Sequence, residues 1–399
     1  GPGRGSAAGS LLCYAIRITE IDPMEFQLMQ FERFIDPTRP DMPDIDMDFS
    51  DPAAVFEYAA AKYGEDKVGH IANFQRYRGK SAIEAVGRTY EMPYDLQDAL
   101  KSQVFDRPDG HPRENDTVAD LIESLEQPRD WTPPSIAKAQ KALKWHPDIR
   151  YAAQIEGDYR GLGVHAAGMV IANRPIHELT AVYSKENSKG KQVEVVSVDK
   201  RDAEYLDVLK LDILGLSTMA IIEHVVNWTD LEFEQLYALP FTDKKVLRRF
   251  ADNDLTGIFQ FEGRTTRSIV KQVFAGKEDV EFLTLADINA LSRPGSLISG
   301  MTARYVAIEQ DEKEPRDYGY DSVNAIMEST NRCLVYQEQV MGIGRDFAGM
   351  PGSQVGALRR IIGKKKAGGA FEKFYDEFLA GAQATSDASE KDARELWDF

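Results

Sequence analysis

Polar and apolar positions alternate strictly in "PDIDMDF", where Asp44, Asp46 and Asp48 interleave with Ile45, Met47 and Phe49. That period predicts a β-strand over residues 41–49, with three carboxylates on one face and three bulky apolar side chains on the other. The next stretch, "PAAVFEYAAAKYG", has helical spacing; Asp51 and Pro52 suit its N-cap and first position, and Gly64 can end it. Upstream, "GPGRGSAAGS" reads as a glycine-rich loop leading into a helix over "LLCYAIRI". Between about 77 and 160 the pattern is helical, broken by "FDRPDGHPREND" (105–116) and "DWTPPS" (130–135), so an inserted subdomain is expected. Short β-like segments return in "HAAGMVIA" (165–172), "QVEVVSVDK" (192–200) and "DVLKLDILGL" (207–216). After residue 217 the pattern is mostly helical. The β-rich pieces flanking the helical insertion are expected to share one sheet.

A chain of 399 residues, 43% hydrophobic and 28% charged, has ample material for a sizeable core and for two to four domains. No apolar run reaches membrane-spanning length, and there is no signal-peptide pattern. Two cysteines, Cys13 and Cys333, make no disulfide framework, which favours a reducing cytoplasm. A net charge of −17 argues against nucleic-acid binding through the whole surface. Basic residues are nevertheless concentrated in acid-free lanes: "NFQRYRGK" (73–80), "GRTTRSIVK" (263–271) and "LRRIIGKKK" (358–366). The chain opens on Gly1 and stops at "ELWDF", and is expected to be an excerpt of a longer protein.

The acidic strand admits three readings. A solvated face needs no ligand, but three acids on one face of an apolar strand repel one another without a counterion. An EF-hand loop fails, because Phe49 stands where glycine is required and Val55 where glutamate is required. A divalent-metal pair for phosphoryl transfer needs hard oxygen ligands on a rigid element and a further acid from elsewhere. "VLKLDILGL" offers one in Asp212, a lone carboxylate in a strongly apolar strand, whose bland reading is a strand-end cap. The opening loop matches neither G-x-G-x-x-G nor a P-loop, yet Gly3, Gly5 and Ser6 at a helix start suit an anion, and Arg4 adds a planar donor.

Taken together, "GPGRGSAAGS", "FERFIDP", "MPDIDMDF", "HAAGMVIA", "VDKRDAEY", "LKLDILGL", "GIFQFEG", "SRPG", "YQEQVM" and "LRRIIGKKK" occur in the order in which they stand in the bacterial C-family replicative DNA polymerases, and the chain closely resembles the catalytic core of that family. The resemblance implies an α+β fold: a polymerase-β-like nucleotidyltransferase palm (1–76 and 161–216), an inserted helical thumb (77–160) and incomplete, mostly helical fingers (217–399). It also implies that Asp44, Asp46 and Asp212 hold two Mg²⁺ ions, with Asp48 in support. Arg4, Gly5, Ser6, Lys210, Arg359, Arg360, Lys364 and Lys365 would face the nucleotide triphosphate, and Lys366 continues the same basic run. "HAAG" replaces the family's H-A-G-G, and His165 is assigned to structure. The implied activity is template-directed addition of deoxynucleotides to a primer 3′ end. The implied partners are primer-template DNA and deoxynucleoside triphosphates, and in the parent protein a sliding clamp, clamp loader and proofreading exonuclease. Three alternatives remain at this level: a template-independent nucleotidyltransferase on the same palm, a non-catalytic DNA-binding or assembly piece, and an excerpt that is itself inactive although its parent polymerises.

Overall fold

The computed structural model describes residues 1–26, 45–105, 113–127, 132–186, 190, 192–206, 208–363 and 371–399. Six strands follow in chain order: β1 (Asp46–Phe49), β2 (Val68–Arg76), β3 (Tyr159–Ile171), β4 (Val182–Glu186), β5 (Gln192–Val196) and β6 (Leu209–Gly215). The fold is thus mixed α+β, and the chain divides into two units. One comprises Gly1–Pro52 and Asp212–Phe399, the other Ala53–Leu211. Among the described residues no helix is long and apolar enough to cross a membrane.

In the first unit, β1 runs parallel to β6, and the register sets Asp46 against Asp212 and Asp48 against Leu214. The pairing continues past the strand end, where the Leu216 N–H donates to the Phe49 carbonyl at 3.0 Å. The helix beginning at Pro52 runs to Tyr63, and Gly64 closes it at φ +111°. The opening loop is shorter in helix than its sequence suggests. Gly5–Gly9 form a 3₁₀ turn, and the following α-helix covers only Leu11–Ala15, with the Ser10 hydroxyl accepting from the Cys13 N–H. Arg17 at φ +60° carries the chain away, and the Ile18 N–H returns to the Cys13 carbonyl at 2.8 Å. This is a left-handed helix stop made without glycine.

The helices of Asp212–Phe399 close over two apolar clusters. One centres on Leu255, Val270, Ile288 and Leu291, the other on Val323, Met327, Phe347 and Ala382. Each fully buried aliphatic side chain there contributes about 1.5–3 kcal/mol.

In the second unit β2 is central: antiparallel to β3 on one side and parallel to β5 on the other, with β4 antiparallel to β5. Its first half supplies buried Val68, Ile71 and Ala72, whereas Asn73 to Arg76 are exposed on both faces. A second core lies among the helices between Gly79 and Ile155, around Ile83, Leu100, Val118 and Leu143. Buried Glu156 ties this core together: its carboxylate accepts from the Thr117 hydroxyl and, at 2.8 Å, from the Val118 N–H. In "HAAG" the His165 Nδ1 accepts from the Gly168 N–H at 2.8 Å, which gives that histidine a structural task.

Beside the apolar cluster around Leu255 and Leu291 in the first unit lies a buried carboxyl. Asp287 is 4% exposed and accepts from the Tyr336 hydroxyl at 2.6 Å and the Tyr305 hydroxyl at 2.8 Å. Burial outweighs those two hydrogen bonds and pushes its pKa up to about 6. A carboxyl raised on folding stabilises the fold in its protonated form, so its contribution grows as pH falls through about 6 and is smallest above that. Asp287→Asn is therefore expected to flatten the pH dependence of Tm, removing roughly 2 kcal/mol of change between pH 7.5 and 4.5. Thermal melts across that range test it; an unaltered slope in the variant would show that Asp287 does not titrate there.

Candidate active site: paired carboxylates under a glycine loop

The pleat of β1 sends Asp46 and Asp48 to one side and Met47 and Phe49 to the other. The β1–β6 register then places Asp46 directly beside Asp212, which is half-buried one residue before the buried anchor Ile213. Laterally paired residues on parallel strands lie about 4.8 Å apart and point the same way, so the two carboxyl groups share one face. Like charges in that position are destabilising unless a cation intervenes.

The opening loop lies over this face. A side chain at Gly5 would place its Cβ 2.9 Å from Asp46 Oδ2, and the residue sits at φ +61°. Both facts require glycine: the first because the backbone must approach a carboxylate, the second because the conformation is left-handed. Arg4 immediately precedes it in an extended conformation. Its Nη1 donates to Asp48 Oδ1 at 2.6 Å, and Asp48 is 7% exposed. At the loop's start the Gly1 amino group donates to the Asp48 carbonyl at 2.8 Å. Ala7 and Cys13 pack with Ile18 and Ile45, which fixes the far end of the loop beside the strand.

The structure thus brings Arg4, Gly5, Asp46, Asp48 and Asp212 together. Ser6 follows within the 3₁₀ turn. Lys210, half-buried on β6, is counted with the second unit. Arg359 is half-buried on the helix Gly352–Gly363, and Arg360 follows it in that helix. Asp44, Lys364, Lys365 and Lys366 lie outside the described residues. Among the described residues no group of three histidine, cysteine or acidic side chains is arranged to hold a metal ion. The described part of the expected ligand set is the Asp46–Asp212 pair. Its donor chemistry fits a hard divalent cation: two carboxylates side by side on one face of rigid, hydrogen-bonded strands. The sequence could not reveal the Arg4–Asp48 contact or the approach of Gly5 to Asp46. Both depend on how the loop folds back across 40 or so residues of chain.

Strand, loop and acids define an α+β protein whose carboxylate centre lies beneath a glycine turn. Residues 1–215 match the family described as "Bacterial DNA polymerase III alpha NTPase domain", and residues 218–386 match the "Bacterial DNA polymerase III alpha subunit finger domain". The chain belongs to the bacterial DNA polymerase III alpha family. It is 33% identical to DNA polymerase III subunit alpha of Aquifex aeolicus, over 100% of this chain and 34% of that protein. The corresponding proteins of Yersinia pestis and Escherichia coli K12 are 35% and 34% identical, over 96% and 92% of the chain and 31% of each relative. The chain spans about a third of the length of the curated relatives it matches.

Gly5→Ala is expected to force the loop off Asp46 and to lower Tm by a few degrees, since a β-carbon at φ +61° is strained and meets Asp46 Oδ2. An unchanged Tm in thermal melts would show that the close approach is dispensable.

Proposed function

We propose that this chain is the polymerising core of a replicative DNA polymerase, adding deoxynucleotides to a primer 3′ end by in-line attack on the α-phosphate with release of pyrophosphate. The observation that carries the reading is the β1–β6 register, which seats Asp46 against Asp212 beneath the Gly5 turn. Kinship with the DNA polymerase III alpha subunits supports it.

In this reading Asp46 and Asp212, with Asp44, would hold two magnesium ions, and the chemistry supplied there would be acidification of the primer hydroxyl and neutralisation of the leaving phosphates. The strands keep the two carboxylates from spreading apart as charge changes nearby. The backbone of Gly5 and Ser6 offers N–H donors to the triphosphate, and Arg4, Lys210, Arg359, Arg360, Lys364 and Lys365 supply countercharge. No histidine is needed as a general base. Residues 1–76 and 161–216 serve as the palm, 77–160 as the thumb and 217–399 as the fingers, and primer-template DNA is the substrate.

Primer extension by the full-length polypeptide tests this. Asp46→Asn and Asp212→Asn should each lower the rate roughly a thousandfold or more, and Asp44→Asn likewise, because each removes a charged oxygen ligand. Incorporation must also follow the template base; equal use of all four nucleotides opposite one template would point to a template-independent transferase. Near-normal extension by any one variant would strike that residue from the metal set.

A further inference from the structure

The third acid of the strand has a different occupation from its neighbours. Asp48 lies on the same face as Asp46, yet its register partner on β6 is Leu214, not a carboxylate. Its Oδ1 is taken by the Arg4 guanidinium at 2.6 Å, the short distance of a charge-assisted bond. With 7% of its surface exposed, the carboxylate is largely closed to solvent. A divalent cation on that oxygen would meet the positive guanidinium at contact distance, which like-charge repulsion disfavours.

Arg4, in contrast, is 35% exposed at its side chain and remains accessible. A guanidinium carries five N–H donors in a planar fork. The described bond to Asp48 uses the Nη1 end, and the fork's remaining edge is chemically suited to a phosphate. Arg4 stands immediately before Gly5, the residue that brings the loop onto Asp46, so one short segment links guanidinium and catalytic carboxylate.

We infer that Asp48 is a positioning residue: it holds the Arg4 guanidinium in a fixed orientation at the carboxylate centre so that Arg4 meets the triphosphate of the incoming nucleotide without first being ordered. The gain comes from preorganisation, because a long side chain already fixed by one partner loses little freedom on binding a second. Asp48 then controls nucleotide affinity and leaves the chemical step to Asp46 and Asp212. The inference rests on the nucleotide-transfer reading above.

The test is steady-state primer extension with the nucleotide varied, on the full-length polypeptide, together with equilibrium titration of a fluorescent deoxynucleoside triphosphate. Asp48→Asn and Arg4→Ala should each raise KM for the nucleotide about tenfold while kcat stays within about threefold. The double variant should be no worse than Arg4→Ala alone, because the two residues act as one unit. Asp48→Glu, which keeps the charge, should recover part of the affinity, and Arg4→Lys, which loses the fork, should not. If Asp48→Asn does not fold, the Arg4→Lys and Arg4→Ala pair still decides the matter, since that side chain is accessible. Asp48→Asn lowering kcat as far as Asp46→Asn with KM unchanged would overturn the inference and make Asp48 a metal ligand; so would multiplicative effects in the double variant. If the unsubstituted protein extends no primer, the transfer reading fails by itself. The titration then stands alone: tenfold weaker binding in both single variants upholds the Arg4–Asp48 unit, and unchanged affinity overturns it.

Discussion

Parallel pairing of β1 with β6 is the constraint on which the site depends. Two four-to-seven-residue strands far apart in the chain meet in a register that sets one carboxylate against another. Taken locally, that register is unfavourable, because adjacent like charges raise the free energy of the pair. It is held by its apolar neighbours. Ile213 is 1% exposed directly after Asp212, and Gly215 lets Pro52 approach so closely that a Cβ there would be 3.0 Å from the proline ring. The packing on the apolar side imposes the repulsion on the polar side. A slip of β6 by one residue would turn Asp212 away from Asp46 to the opposite face and bring Ile213 out of its buried position.

The same logic explains how much could be read in advance. Alternation in residues 44–49 and the apolar run around Asp212 are strong local signals. A strand occupies Asp46–Phe49 of the expected 41–49, of which 41–44 lie outside the described residues, and another occupies Leu209–Gly215 of the expected 207–216. β2 escaped the pattern because Asn73 to Arg76 are exposed on both faces, so no period of two exists there to detect. β4, with three of its five residues exposed, is equally silent. The helix expected over "LLCYAIRI" stops at Ala15 because the chain turns back at Arg17 in a left-handed conformation, a residue type that gives no warning of it. In the site, the Asp46–Asp212 partnership was suggested by chemistry and resemblance, and the register supplies its geometry. The occupation of Asp48 by Arg4 was not legible: alternation puts three acids on one face and treats them as equivalent.

The short helix also changes how the loop can handle an anion. An α-helix of five residues preceded by a 3₁₀ turn has little aligned dipole to offer. In the proposed reading, attraction for phosphate therefore comes from individual N–H groups of the Gly5–Gly9 turn and from fixed cations. That places more weight on where Arg4 is held, since a single guanidinium replaces part of a field that a longer helix would have provided.

Electrostatics sets the order of events at such a centre. Asp46, Asp48 and Asp212 gather three carboxylates within one sheet face and its loop, and Arg4 is already engaged by one of them. A triphosphate approaching that face alone meets acids at close range, and the overall charge of −17 offers no long-range attraction to offset this. In the proposed reading, cations must therefore arrive on the acids before the nucleotide or accompany it. Two features of the geometry bear on that requirement. Strand pairing holds Asp46 beside Asp212 on one face. The Asp48 contact holds one guanidinium nitrogen of Arg4 on the third acid. The third carboxylate of the strand is thus committed to a cation of the protein's own, which sets it apart from its two neighbours.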